Sequence, residues 1–167
     1  MSLNQEILKY APSYWDKTLQ NREENISSSS DEFKNIFSEI TKAVYSTHFS
    51  VQKIIRIQNI HDLGQLLIRE QLLVTSNPHT QYYRVRRFIK INKLYYGNAI
   101  KYNIDHRRCG LPQVQFRKSV GMSPSSSHVL LVVQVVTDNP SAEYINPANS
   151  LEYFIEYVVF FKTLSIL

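Results

Sequence analysis

The stretch VQKIIRIQNIHDLGQLLIREQLL, Val51 to Leu73, changes its period at Asn59, and that change decides the fold class. Up to Asn59 the residues are rich in β-branched types and alternate. Val51, Lys53, Ile55 and Ile57 share one side, and Gln52, Ile54, Arg56 and Gln58 the other, as in a strand. Beyond it, Leu63, Leu66, Leu67 and Leu73 supply the apolar positions of a helix, with Asn59 suited to its cap. A strand that passes directly into a helix places the chain in a mixed class.

Working outward, Phe33, Ile36, Phe37, Ile40 and Val44 repeat at helical spacing and predict an earlier helix. Ser29 and Glu32 suit a capping box at its start, and Asp31 favours its first turn. Before it, APSYWDKTLQN reads as an extended lead-in that pins Trp15 against the body. On the other side, SNPHT breaks the second helix at Pro78. QYYRVRRFIKINKLYY then alternates, with Tyr83, Val85, Arg87, Ile89, Ile91 and Lys93 on one parity. HVLLVVQVVT, His128 to Thr137, is almost continuously apolar, as in a central strand. NPSAEYINPANS is a turn-rich connection, and LEYFIEYVVFFKTLSIL reads as a final strand or strand pair. The expectation is α+β: one or two N-terminal helices on a mostly β core.

The 167 residues fit a single domain spanning 1–167. Apolar residues at 43% and aromatics at 12% suffice for a core and exclude disorder throughout. A lone cysteine, Cys109, forms no internal disulfide, and a reducing, intracellular setting, nuclear or cytoplasmic, is expected. MSLNQEILKY lacks the pattern of a signal peptide. The longest apolar run, HVLLVVQVV, is interrupted by Gln134 and far short of a membrane span. The formal charge of +5 is concentrated: residues 82–118 carry ten Lys and Arg against one acid, Asp105. Such a segment attracts phosphate or an acidic partner.

The order of these elements resembles the catalytic domain of the poly(ADP-ribose) polymerases. It is most similar to the mono-ADP-ribosylating, zinc-finger antiviral branch. PSYW at Pro12–Trp15 resembles the branch's P-x-Y-W entry. VQKIIRIQN at Val51–Asn59 resembles I-x-x-I-x-R-I-Q-N. LYYG at Leu94–Gly97 stands where the family has L-F-H-G, NIDHRRCG at Asn103–Gly110 resembles N-F-D-x-R-x-C-G, and LEYFIEY at Leu151–Tyr157 resembles P-E-Y-L-I-x-Y. The resemblance implies an ADP-ribosyltransferase-like fold: a split antiparallel sheet with flanking N-terminal helices, here truncated.

The family's chemistry is carried by a histidine, a tyrosine and a glutamate or aliphatic residue, which correspond to Tyr96, Val120 and Phe154. The family histidine bonds the ribose of NAD. Here it is Tyr96, the following threonine is Asn98, and Gly97 alone survives. Only Asn98, Ala99 and Ile100 stand before Lys101 where the family has a helix walling the nicotinamide. In FRKSVGM, Phe116 to Met122, the family's glycines are Arg117 and Lys118. A register shift of two would bring Glu152 or Glu156 to the Phe154 position. Four glycines in the chain, about a third of ordinary usage, leave little for a phosphate cradle.

The expected function is therefore a catalytically inactive ADP-ribosyltransferase-like domain that binds no cofactor. It would serve as a protein- or RNA-interaction scaffold, in silencing or antiviral RNA regulation as the resemblance implies. The alternative is a divergent mono-ADP-ribosyltransferase that uses NAD. Arg84, Arg86, Arg87, Lys90, Lys93, Arg107, Arg108, Arg117 and Lys118 are the candidate contacts, with Tyr82, Tyr83, Tyr95, Tyr96 and Tyr102 interleaved for base stacking. An acidic protein surface suits the same charges, and the apolar YVVFFKTLSIL suits self-association or a partner chain. His48, His61, His79, His106 and His128 share no metal-ligand spacing; His106 beside Cys109 is the nearest approach to one. Ser125–Ser127 lack the context of a nucleophile.

Overall fold

The computed structural model describes residues 2–18, 21–45, 49–122 and 127–162. Its elements are α1 (Leu3–Leu8), β1 (Asn21–Asn25), α2 (Asp31–Ala43), β2 (Val51–Asn59), α3 (Ile60–Ser76), β3 (Tyr83–Asn92), α4 (Tyr96–Tyr102), β4 (Phe116–Arg117), β5 (His128–Thr137), β6 (Tyr144–Ile145) and β7 (Tyr153–Phe161). The class is α+β. The described strands form one seven-stranded antiparallel sheet in the order β1-β2-β7-β5-β3-β4-β6. The expected split is not seen, because β5 and β7 each bond to a strand on both sides and keep the ladder continuous.

β5 alternates between two cores. Val129, Leu131, Val133 and Val135 face Ala99 of α4 together with Ile104, Cys109 and Phe116. Leu130 and Val132 face Ile36 and Ile40 of α2, and Val136 joins Leu63 and Leu66 of α3. A strand covered on both faces needs no polar side, which explains its unbroken apolar reading.

Asn59 caps α3 as expected: its side-chain oxygen accepts from the backbone N–H of His61 and Asp62, both at 3.1 Å. α3 ends at Ser76, two residues before Pro78. The cap of α2 is Ser30 and not Ser29. Ser30 holds the extended backbone a cap requires and accepts from Phe33 N–H at 3.1 Å, while Ser29 pairs with the Ser27 hydroxyl.

Three expectations are corrected. Ser2 and Gln5 form a capping box that starts α1, a helix without a counterpart in the sequence reading. The segment before Trp15 is turned, with Trp15 N–H bonded to Pro12 carbonyl, and not extended; Trp15 is nonetheless buried, edge-on to Phe154. Two helical turns do follow LYY, because Tyr96, Gly97, Lys101 and Tyr102 themselves take helical geometry around Ala99. His48, Ser125, Ser126 and the end of the final apolar run, residues 163–167, lie outside the described residues.

Asp62, in the first turn of α3, is buried and accepts from the Asn59 amide at 2.8 Å. Burial pushes its carboxyl up to about 6 from an ordinary 3.8. The folded state therefore holds this proton more tightly than the unfolded chain. That contribution is fully present below about pH 4 and is lost as pH rises through 6, by about 2–3 kcal/mol. Asp62→Asn should flatten the pH dependence of urea stability in that window. An unchanged slope between pH 4 and 6 would refute this assignment.

Candidate functional site

Tyr96, Val120 and Phe154, the three positions that the resemblance singles out, belong to three different packing clusters. Tyr96 packs edge-on against Phe160, with ring centroids 5.3 Å apart, beside the α4-side core. Val120 lies in the α2-side core, in a parallel bridge with Val44. Phe154 is buried in a third cluster with Trp15, Leu63 and Leu66.

The two glutamates near Phe154 are both engaged. One Glu152 carboxylate oxygen accepts from Arg69 at 3.1 and 2.8 Å, and the other accepts from Ala148 N–H at 2.8 Å. Glu156 occupies a β-bulge. Ile155 pairs with Val133 and Tyr157 with Val132, so Glu156 is the extra residue between them. The bulge turns Glu156 and Tyr157 together onto the face of α2. There Glu156 accepts from Arg86 Nε and Nη2, both at 2.7 Å, from Gln134 at 3.0 Å and from the Tyr14 hydroxyl. Tyr157 donates to Glu32 at 3.0 Å, and Glu32 with Glu24 holds Arg56. Burial, with the nearby Glu156 charge, holds the Tyr14 and Tyr157 hydroxyls well above the usual tyrosine range, so both remain donors. Each carboxylate is matched by a cation or hydroxyl inside the protein. This network ties α2, the PSYW turn and the sheet together.

The basic segment is likewise divided by the fold. Arg84 pairs with Glu70, and Arg86 with Glu156 and Glu39. Arg87 is buried and donates to the carbonyls of Arg86, Pro140 and Ala142. Lys90 donates to Gly121 carbonyl at 3.1 Å. Arg87 is buried, Arg86 and Lys90 are half-buried, and Arg84 is an exposed residue held in an ion pair. Lys93, Arg107, Arg108, Arg117 and Lys118 are exposed, as is Lys101.

Two exposed arginine–tyrosine stacks stand among them. The Arg108 guanidinium lies 4.2 Å from the Tyr102 ring centroid, with Lys101 5.1 Å from the same ring. Arg117 lies 5.3 Å from the ring of Tyr144. Lys101, with Arg108 adding, pulls the Tyr102 phenol below its usual range. Tyr102 of the first stack also lines a cleft of about 590 Å³, together with Ile104, Arg107, Gln113, Asn146 and Tyr153. Arg117 donates to Gln115, and Gln115 to Asn146, which links the second stack to the cleft rim. Tyr144, Gln113 and Asn146 carry no motif, and the turn-rich reading of residues 139–150 passed over Tyr144 and Asn146.

The floor is held by an unusual backbone. Asn103 and Ile104 have φ of 49° and 59°, in the left-handed region that a β-branched residue rarely enters. The Asn103 amide fixes them by donating to the carbonyls of Ser150 and Tyr153 at 2.9 and 2.8 Å, and the Tyr153 hydroxyl donates to Ile104 carbonyl. Asp105 is held ionised chiefly by Arg107, to which it also bonds. Cys109 is buried, and burial pushes its thiol up, which disfavours the thiolate. Among the described residues no cluster of His, Cys, Asp and Glu is arranged to hold a metal, and no helix is long and apolar enough to cross a membrane. A scan against protein-family models and a search of curated proteins both return no match.

Proposed function

We propose that this chain is a catalytically inactive ADP-ribosyltransferase-like domain that works as an interaction scaffold for an anionic partner, RNA or an acidic protein surface. The sequence resemblance supplies the fold relationship. Inactivity is supported by the placement of Tyr96, Val120 and Phe154 in three separate clusters. The observation that carries the binding role is the exposed band of Lys101, Arg107, Arg108 and Arg117 with its two stacked tyrosines. Carboxylates pair with Arg84 and Arg86 elsewhere in the segment, whereas among the described residues the ion pairs of this band are those of Arg107 and Arg108 with Asp105.

The test is binding of an RNA oligonucleotide and of an acidic peptide as salt is raised from about 50 to 200 mM. Four phosphate contacts on a single strand predict a loss of roughly 50-fold over that range. Arg107→Glu with Arg108→Glu should weaken binding and flatten the slope. Lys42→Glu, the same change on exposed α2, should do neither. Absence of binding to both probes at 50 mM salt defeats the scaffold reading. Saturable binding of NAD with automodification would replace it with the transferase alternative.

A further inference from the structure

We propose that the cleft lined by Tyr102, beside its stack with Arg108, seats an unpaired base of single-stranded RNA. This rests on the scaffold reading above and specifies its ligand.

Three observations converge. The first is composition by layer. The exposed Tyr102 and the half-buried Val114 supply aromatic and apolar surface over the buried Ile104 and Tyr153, while Gln113, Asn146 and Asn149 supply side-chain amides. An amide both donates and accepts, as does the edge of every nucleobase. A cleft built only to hold a carboxylate peptide would need donors alone. The volume of about 590 Å³ falls within the range of small-molecule sites.

The second is the pair of stacks. Tyr102 and Tyr144 are exposed rings, each already covered on one side by an arginine. An aromatic ring so placed offers a sequence-tolerant platform for a base, and the adjacent guanidinium meets the phosphate beside that base. Arg107, with a side chain 79% exposed, stands at the cleft itself. The Tyr102 platform lies in the cleft lining, and the Tyr144 stack is joined to its rim through Arg117, Gln115 and Asn146. A duplex keeps its base faces stacked inside and presents none to a cleft.

The third is the built floor. Asn103 and Ile104 hold a strained conformation, pinned by three hydrogen bonds to residues 150 and 153 and to Ile104 itself. Strain of this kind persists where surrounding structure fixes it. Here it places Ile104 in the cleft lining and leaves the Asn103 side-chain oxygen buried without a partner.

The experiment is fluorescence anisotropy with a labelled 12-nucleotide single-stranded RNA of mixed sequence, with unlabelled duplex RNA and heparin as competitors. The single strand should bind more tightly than the duplex. Tyr102→Ala should weaken it about tenfold or more while leaving the salt slope unchanged, and Tyr102→Phe should restore it. Thermal melts establish that each variant is folded. If Tyr102→Ala has no effect, and duplex or heparin competes as well as the single strand, the base seat is wrong and the charge-based scaffold stands. If no polyanion or acidic peptide binds at 50 mM salt, both readings fail together.

Discussion

Truncating Glu156 to alanine is expected to cost about 3–5 kcal/mol of folding stability, measured by urea denaturation. The residue is only 1% exposed and its carboxylate accepts from Arg86, Gln134 and Tyr14. Its removal leaves the Arg86 guanidinium with Glu39 alone at the edge of the core. A half-buried cation that loses its main counter-charge retains the desolvation penalty without the compensation. The size of the effect thus reflects the stranded arginine more than the intrinsic worth of the pair. Replacing both partners, Arg86→Met with Glu156→Met, should recover most of the loss, because the charge and its counter-charge leave together. A single-variant cost below about 1 kcal/mol would show that water or Glu39 takes over, and the network would then lose its structural role. Charge reversal at Arg86 reads folding for the same reason, and Arg107 and Arg108 are the informative positions for binding.

The second large effect concerns Phe154, the position that the proposed resemblance would pair with a glutamate in polymerising members of that family. Phe154→Glu is expected to destabilise the protein by about 5 kcal/mol or more. The phenyl ring packs edge-on against Trp15 at 6.3 Å and beside Leu63 and Leu66, so the change deletes a core aromatic and buries a carboxylate among apolar groups. That loss is comparable with the whole stability of a domain. A milder pair, Tyr96→His with Val120→Tyr, tests the same point without emptying that core. It should confer no NAD binding by calorimetry, since the two side chains lie in cores on opposite faces of the sheet. Saturable NAD binding by that double variant would overturn the argument.

The legibility of the fold varied from element to element for physical reasons. The α2 stripe of Ile36 and Ile40, the Asn59 cap and the alternation of Phe88 against Ile89 in β3 are near-neighbour effects, and each was readable. α1 was missed although Ser2 and Gln5 are an ordinary capping box, because six residues are too few to display a period. α4 was missed because the count from the resemblance took in only Asn98 to Ile100, while helical geometry runs from Tyr96 to Tyr102.

The sequence by itself determined the α+β class, the two-sided burial of β5 and the confinement of positive charge to residues 82–118, since propensity, periodicity and composition are properties of adjacent residues. Only the tertiary structure decided which of those charges face outward. Arg86 meets Glu156 across 70 residues of chain, and a one-residue bulge in β7 aims that carboxylate. Whether a cation is a tie or a contact depends on its desolvation and on partners brought from elsewhere in the chain. Neither quantity exists until the strands are paired.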